Sequence, residues 1–104
     1  MKVNLTSRHF KAHETLKEHA EIELHKIDKF YDGLIKAEVI LSYEKPSNSV
    51  KTAEILVTSN SHHTFTASAR SDDFKVSIES AVDKLVTQIK KHKEKIKSSI
   101  NHRI

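Results

Sequence analysis

The sequence predicts an α/β (α+β) two-layer sandwich, in which two helices cover one face of a four-stranded mixed sheet in the order β-α-β-β-β-α. Two segments repeat apolar residues every three or four positions, as amphipathic helices do. Four shorter segments alternate apolar and polar residues, as half-buried strands do. With 104 residues the chain has enough apolar side chains for one modest core, which predicts a single domain over residues 1–104.

The chain opens with a short strand, in which Val3 and Leu5 alternate with polar residues. A helix is predicted from about His13 to Tyr31, and Asp32-Gly33 is predicted to end it. Its apolar face consists of Leu16, Ala20, Leu24, Ile27 and Tyr31. Strands joined through a helix normally lie parallel with a right-handed crossover, so we expect the first two strands to be parallel.

Three strands then follow as antiparallel hairpins. They are predicted over residues 35–43, about 51–58 and 64–70, with turns over Lys45–Ser49 and Ser59–His63. The residues expected to face the core are Ala37, Val39, Leu41, Tyr43, Ala53, Ile55, Val57, Phe65, Ala67 and Ala69. Both helices need an apolar surface to pack on, so the other face of the sheet should be wet and rich in Thr, Ser, Lys and Glu.

The second helix, predicted from Asp72 to Lys97, is long enough to cross a whole small domain. Ser71 or Asp72 is expected to cap it, and Asp73 would favour the helix dipole in its first turn. Its apolar stripe consists of Phe74, Ile78, Ala81, Val82, Leu85, Ile89 and Ile96. Such a stripe indicates that the helix docks on the sheet along one side.

The distal half of this helix concentrates the positive charge. Residues 84–104 contain seven basic residues and one acidic residue, a net charge of +6; the whole chain carries +4, so residues 1–83 carry −2. At 100° per residue the first lysine row consists of Lys84, Lys91 and Lys95, with Gln88 among them. The second lysine row, across the stripe, consists of Lys90, Lys93 and Lys97. Two such rows suit a phosphate-rich partner, although lysines also favour helix formation and can simply form a solvated face.

Several classes of function are disfavoured by composition. The chain has no cysteine and one glycine, which excludes disulfides, thiolate metal sites and glycine-rich phosphate loops. None of the eight histidines shows an HExxH or similar spacing, and no Ser, His and Asp are spaced as a nucleophile and base. We therefore expect no enzyme, catalytic residue, metal, cofactor or small-molecule substrate. No apolar run approaches a membrane span and no signal peptide fits the N-terminus, so we expect a cytoplasmic protein without a membrane partner.

Three stretches of the chain match a known pattern. The most specific is the last helix with its entry, which reads Asp73-Phe74, Ile78, Ala81, Asp83-Lys84-Leu85, Gln88-Ile89 and Lys91-His92-Lys93. The other two are Asn4-Leu5-Thr6 followed by Arg8-His9, and Val39-Ile40-Leu41-Ser42 followed by Glu44-Lys45. Over essentially its whole length the chain resembles the ribosome hibernation-promoting factors, also called ribosome-associated translation inhibitors. Phe74 departs from the tyrosine that many relatives carry.

The resemblance implies a fold akin to double-stranded-RNA-binding domains with an added first strand. It also implies a monomer that binds ribosomal RNA of the small ribosomal subunit, between head and body. There it would block the path of messenger RNA and the transfer RNA sites in idle or stressed cells. Because the sequence stops after the second helix, it resembles the short form of the family. The RNA-binding residues expected on these grounds are Arg8, His9, Lys84, Gln88, Lys90, Lys91, Lys93 and Lys95.

Two alternatives stay open at this point. One is a generic double-stranded-RNA-binding module, but those domains carry basic residues at the start of the last helix, where this chain has Asp72, Asp73 and Glu79. The other is a basic amphipathic helix that binds an acidic protein partner or a membrane surface. The sheet needs the apolar stripe of that helix, which argues against the second alternative.

Overall fold

The predicted element order is confirmed by a computed structural model of the chain, which describes residues 1–8, 14–29, 31, 33–43 and 50–102, with side chains as far as His92. The elements are β1 (Lys2–Ser7), α1 (Glu14–Asp28), β2 (Leu34–Tyr43), β3 (Lys51–Ser59), β4 (Thr64–Ser71) and α2 (Phe74–His102). The predicted turn at Lys45–Ser49 lies outside the described residues. Neither helix, over the residues that the structure describes, contains an apolar stretch that could span a bilayer.

The four strands form one sheet in the order β1-β2-β3-β4. β1 pairs with β2 in parallel, with Leu5 beside Val39, whereas the β2–β3 and β3–β4 pairs are antiparallel. Ile55 in β3 lies opposite Val39 on one side and Ala67 on the other. The mixed sheet, its parallel first pair and its two antiparallel hairpins are therefore as predicted.

One core joins both helices to the same face of the sheet. Its fully buried aliphatic side chains larger than alanine are Leu24, Ile27, Val39, Leu41, Ile55, Val57, Ile78, Leu85 and Ile89. On the opposite face Thr64, Thr66, Ser68 and Arg70 are exposed, as the alternation in β4 predicts. Tyr43 and Ala67 were both expected in the core but are only half-buried, the first at the end of β2 and the second on the edge strand.

Helix α1 is shorter than predicted. It ends at Asp28, where the Lys29 N–H donates to the Lys26 carbonyl at 3.3 Å, an i to i+3 bond typical of a tightened last turn. Tyr31 lies outside the helix, yet its ring centroid is 6.0 Å from that of Phe65 in an edge-to-face contact. The apolar periodicity of the sequence extends to Tyr31 because that side chain also packs against the core, although the backbone there is no longer helical.

The cap of α2 also differs from the prediction. The Asp73 carboxylate accepts the Lys75 N–H at 2.9 Å, so Asp73, rather than Ser71 or Asp72, caps the helix. Ser71 supports this turn, since its hydroxyl accepts the Asp73 N–H at 3.2 Å. The buried Ser77 hydroxyl donates to the Lys51 carbonyl at 2.7 Å, which joins the first turn of α2 to β3.

Gly33 occupies a turn that other residues would strain. Its φ is +92°, and a Cβ added there would lie 2.8 Å from Asn60 Oδ1. We expect Gly33→Ala to lower the free energy of unfolding by about 1–3 kcal/mol, measured by urea denaturation. Adding Asn60→Ala removes the steric contact, so it should restore part of this loss but leave the backbone strain. An alanine variant as stable as the parent would contradict the strained turn.

Candidate nucleic-acid interface

Helix α2 runs along the outer edge of β4 and is bonded to it by two side chains. Lys84 Nζ donates to the Ser68 carbonyl at 2.7 Å, and Gln88 Nε2 donates to the Thr66 carbonyl at 2.6 Å. Lys84 and Gln88 are four residues apart, a rise of about 6 Å along a helix, and Ser68 and Thr66 are two residues apart, about 6.6 Å along a strand. The two distances match, so both bonds can form side by side. The first lysine row therefore lies along the sheet edge, with Lys91 exposed beyond Gln88. The Lys95 side chain lies outside the described residues.

These bonds give Lys84 and Gln88 a structural role that the sequence did not reveal. β4 is an edge strand, and an edge strand presents unpaired backbone groups that can pair with another chain. The two side chains occupy two of these carbonyls. An ammonium has three N–H donors and a carboxamide has two, so each exposed side chain keeps a donor for a phosphate. The structural role and the predicted RNA contact are therefore compatible.

A polar groove of about 520 Å³ lies beside this edge. It is lined by Glu54, Thr66, Ala67, Ser68, Lys84 and Gln88. The exposed carboxylate of Glu54 lies on the neighbouring strand, in register with Ser68. This carboxylate would repel a phosphate bound near Lys84. The attraction of the surface for phosphate should therefore be stronger near Lys91, farther along α2.

The second lysine row begins on the side of α2 that faces α1. Val82, Asp83 and Val86 of α2 line a cleft of about 440 Å³ together with Glu23, Lys26 and Lys29 of α1. Lys90 is exposed and follows Val86 by one helical turn. Lys90 and Lys91 are both exposed next to the buried Ile89, and helical spacing places them on different sides of the apolar stripe. The side chain of Lys93 lies outside the described residues.

The backbone of α2 continues as a helix well past Ile89. Ile89 is the last buried residue among the side chains that the structure describes, while the helix backbone continues to His102. At 1.5 Å per residue this continuation is about 20 Å long. The backbone that carries the remaining lysines is therefore helical.

Arg8 lies at the other edge of the sheet. Its N–H donates to the Leu41 carbonyl at 2.9 Å and prolongs the pairing of β1 with β2. β1 and β4 are the two edge strands, and three strand spacings separate them by about 14 Å. The structure therefore does not bring the exposed Arg8 side chain beside the lysine rows. His9 lies outside the described residues.

A cluster of rings that the sequence analysis missed anchors α2 just before its distal part. His92 stacks on His63, with ring centroids 4.6 Å apart and planes 21° apart. The His92 ring also contacts Phe65 at 5.4 Å and Tyr31 at 6.1 Å. The antiparallel register of α2 on β4 places these residues together, a register that cannot be read from either segment alone. The contacts fix the orientation of the helix beside Lys91.

The comparisons with known proteins agree with this architecture. The family model described as "Sigma 54 modulation protein / S30EA ribosomal protein" matches residues 3–97. The chain belongs to this family. The resemblance predicted from the sequence is thereby confirmed. Members of this family are ribosome-associated proteins, which supports the prediction that the chain is not an enzyme.

Relatives within the S30EA family cover almost the whole chain. The chain is 30% identical to the ribosome hibernation promoting factor of Escherichia coli K12 over 93% of this chain and 98% of that protein. It is 29% identical to the factor of the same name from Pseudomonas putida KT2440, over 94% of this chain and 92% of that protein.

Solved structures show the same fold. The Thermus thermophilus protein Y N-terminal domain superposes with a TM-score of 0.78 at 27% identity, over 88% of this chain and 99% of that one. A ribosomal subunit interface protein from Coxiella burnetii superposes with a TM-score of 0.80 at 26% identity, over 90% of this chain and 99% of that one. The sandwich described above is therefore the fold of S30EA-type domains.

Proposed function

We propose that this S30EA family member is a hibernation factor that binds the small ribosomal subunit near the messenger RNA and transfer RNA sites. It inhibits translation there by steric block in idle or stressed cells, and it acts in the cytoplasm, where ribosomes work. The observation that carries the proposal is the pair of lysine rows on the long α2, one of them aligned with the sheet edge by Lys84 and Gln88. The names of the relatives, ribosome hibernation promoting factor and ribosomal subunit interface protein, support the ribosome as the partner.

Ribosomal RNA phosphates are the proposed ligands of both rows. The exposed Lys90 and Lys91 diverge on the two sides of the stripe, so they can contact different backbone segments. Lys84 contributes through the donors left after its bond to Ser68. The remaining proposed contacts of the distal helix are Gln88, Lys93 and Lys95. Contacts between lysine and phosphate fix the position of a protein on RNA, but they carry no sequence information.

Specificity then comes from the shape of the domain in a structured RNA cleft. Arg8, about three strand spacings from the lysine row, and the neighbouring His9 would reach RNA on another wall of that cleft. A structured ribosomal cleft can contact both edges of the sheet at once.

Co-sedimentation with isolated small subunits, isolated large subunits and whole ribosomes tests the proposal. We expect one copy per small subunit and none on the large subunit, and the protein alone should sediment as a monomer. Each lysine–phosphate contact adds about 0.7–0.9 to the slope of log affinity against log salt, so several contacts make binding strongly salt-sensitive. Messenger RNA with transfer RNA should compete for the site, and addition of the protein should lower cell-free translation.

The controls separate this function from its alternatives. A duplex RNA bound as tightly as the small subunit would indicate a generic RNA-binding module. Stable binding that messenger RNA and transfer RNA do not displace would refute the steric block. Absence of binding to any ribosomal particle would favour an acidic protein partner instead.

A further inference from the structure

Three side chains with metal-binding atoms converge where α1 packs on α2. His19 and Glu23 lie four residues apart on α1, which places them on one face of that helix, and Glu79 faces them from α2. One ligand atom from each of the three lies within 4.8 Å of the others. His19 Nε2 lies 3.1 Å from Glu79 Oε1. This convergence is separate from the RNA contacts proposed above.

We propose that His19, Glu23 and Glu79 form a binding site for a divalent transition metal, with Zn²⁺ as the fitting ion. One imidazole nitrogen and two carboxylate oxygens are ligands that Zn²⁺ accepts. Three protein ligands leave one position of a tetrahedral site for water. Because the ligands come from both helices, a bound ion would join α1 to α2.

The imidazole of His19 provides a second observation. Its Nε2 atom is buried and has no hydrogen-bond partner among the described residues. Glu79 Oε1 is close enough but lacks the alignment of a hydrogen bond. Nearly all buried polar atoms in proteins form a hydrogen bond, whereas this ring nitrogen has only an ion-pair contact with Glu79. A metal ion on Nε2 would take the place of the missing hydrogen bond, and both carboxylates would coordinate the same ion.

The surroundings attract cations even though the chain as a whole is basic. Glu23 Oε1 accepts a bond from Lys26 Nζ at 2.9 Å. Asp83 of α2 lines the same cleft as Glu23 and Lys26. With Glu79, three carboxylates therefore lie where α1 packs on α2. The Glu23–Lys26 bond occupies one oxygen of Glu23, and a carboxylate has a second.

The site is not apparent from the sequence because its ligands are far apart in the chain. Metal motifs on one helix pair two histidines, as in HExxH, whereas here a single histidine is followed one turn later by a glutamate. Such a pair is common on helix surfaces. Only the packing of α1 on α2 adds Glu79 and turns the pair into a three-ligand set.

Zn²⁺ titration of the metal-free full chain by calorimetry tests the proposal. We expect one ion per chain and a rise in melting temperature, since the ion would connect two helices. His19→Gln, Glu23→Gln and Glu79→Gln each remove one ligand at nearly constant shape and should weaken binding at least about tenfold. Lys26→Met removes a competing cation and should strengthen it. An imidazole ¹⁵N spectrum should show the His19 ring as the one that shifts with Zn²⁺.

His25→Gln is the matched control. It replaces a histidine on the same helix that is exposed and lies 3.3 Å from Asp28. The proposal expects this variant to bind Zn²⁺ like the parent chain. It is overturned if the parent binds no Zn²⁺, if the three ligand variants bind as well as the parent, or if another imidazole shifts instead. All readouts use the protein alone, so the outcome does not depend on the proposed ribosome function.

Discussion

The variant Lys84→Gln/Lys91→Gln is expected to bind the small ribosomal subunit about a hundredfold more weakly than the parent chain. A hydrogen bond to a charged group is worth at least about 1.5 kcal/mol, so the loss of two lysine–phosphate contacts costs roughly 3 kcal/mol. The slope of log affinity against log salt should fall by roughly 1.4–1.8, because two phosphates are no longer neutralised. Co-sedimentation over a salt series measures both quantities.

Glutamine at position 84 keeps this experiment interpretable. Lys84 donates to the Ser68 carbonyl, so a glutamate there would place a carboxylate against a carbonyl and disturb the edge of β4. A glutamine retains an N–H donor but loses the charge. Gln88 makes the equivalent bond to the Thr66 carbonyl one turn later, which shows that a glutamine side chain reaches this strand.

Lys17→Gln/Lys75→Gln is the matched control, with the same change in net charge at two exposed helical positions outside the lysine rows. It should change affinity far less than the paired row variant. If both variants lose affinity equally, net charge alone governs binding and no local site exists. If neither loses affinity, the RNA contacts lie elsewhere on the domain. Either result would refute the assignment of the contacts to Lys84 and Lys91.

The elements of the fold could be predicted because each reflects a local period in the sequence. Val39 and Leu41 alternate with polar neighbours because the strand has one buried face, and Ile78, Leu85 and Ile89 recur at helical spacing because α2 has one buried side. Element ends were less predictable. Several residues before Phe74 can cap a helix, and only the local backbone geometry selects Asp73.

The contacts between elements could not be predicted for a different physical reason. The bonds of Lys84 and Gln88 depend on the register of α2 along β4, and the approach of Glu79 to His19 depends on the packing of α1 against α2. Neither relation leaves a period in the sequence. A concentration of charged residues, by contrast, can be recognised without knowing the register. The lysine rows could therefore be predicted from the sequence, whereas their position beside the sheet edge could not.

The second large effect is expected in the core. Leu85→Ala should lower the free energy of unfolding by about 2–5 kcal/mol, because it removes a fully buried side chain between α2 and the sheet and leaves a cavity. A loss of 3 kcal/mol would lower the melting temperature of a domain of this size by roughly 12–24 °C. Urea denaturation and a thermal scan measure the two quantities.

Ile22→Ala is the control for this substitution, since Ile22 is an aliphatic helical residue whose side chain is 61% exposed. Its loss of stability should stay within about 0.5 kcal/mol. Leu85 adjoins Lys84, so Leu85→Ala also shows whether ribosome binding needs α2 docked on β4. If the folded fraction of the variant binds normally at low temperature, the lysine row tolerates a loosened helix. If stability is unchanged, Leu85 does not belong to the core and α2 does not pack on the sheet through this residue.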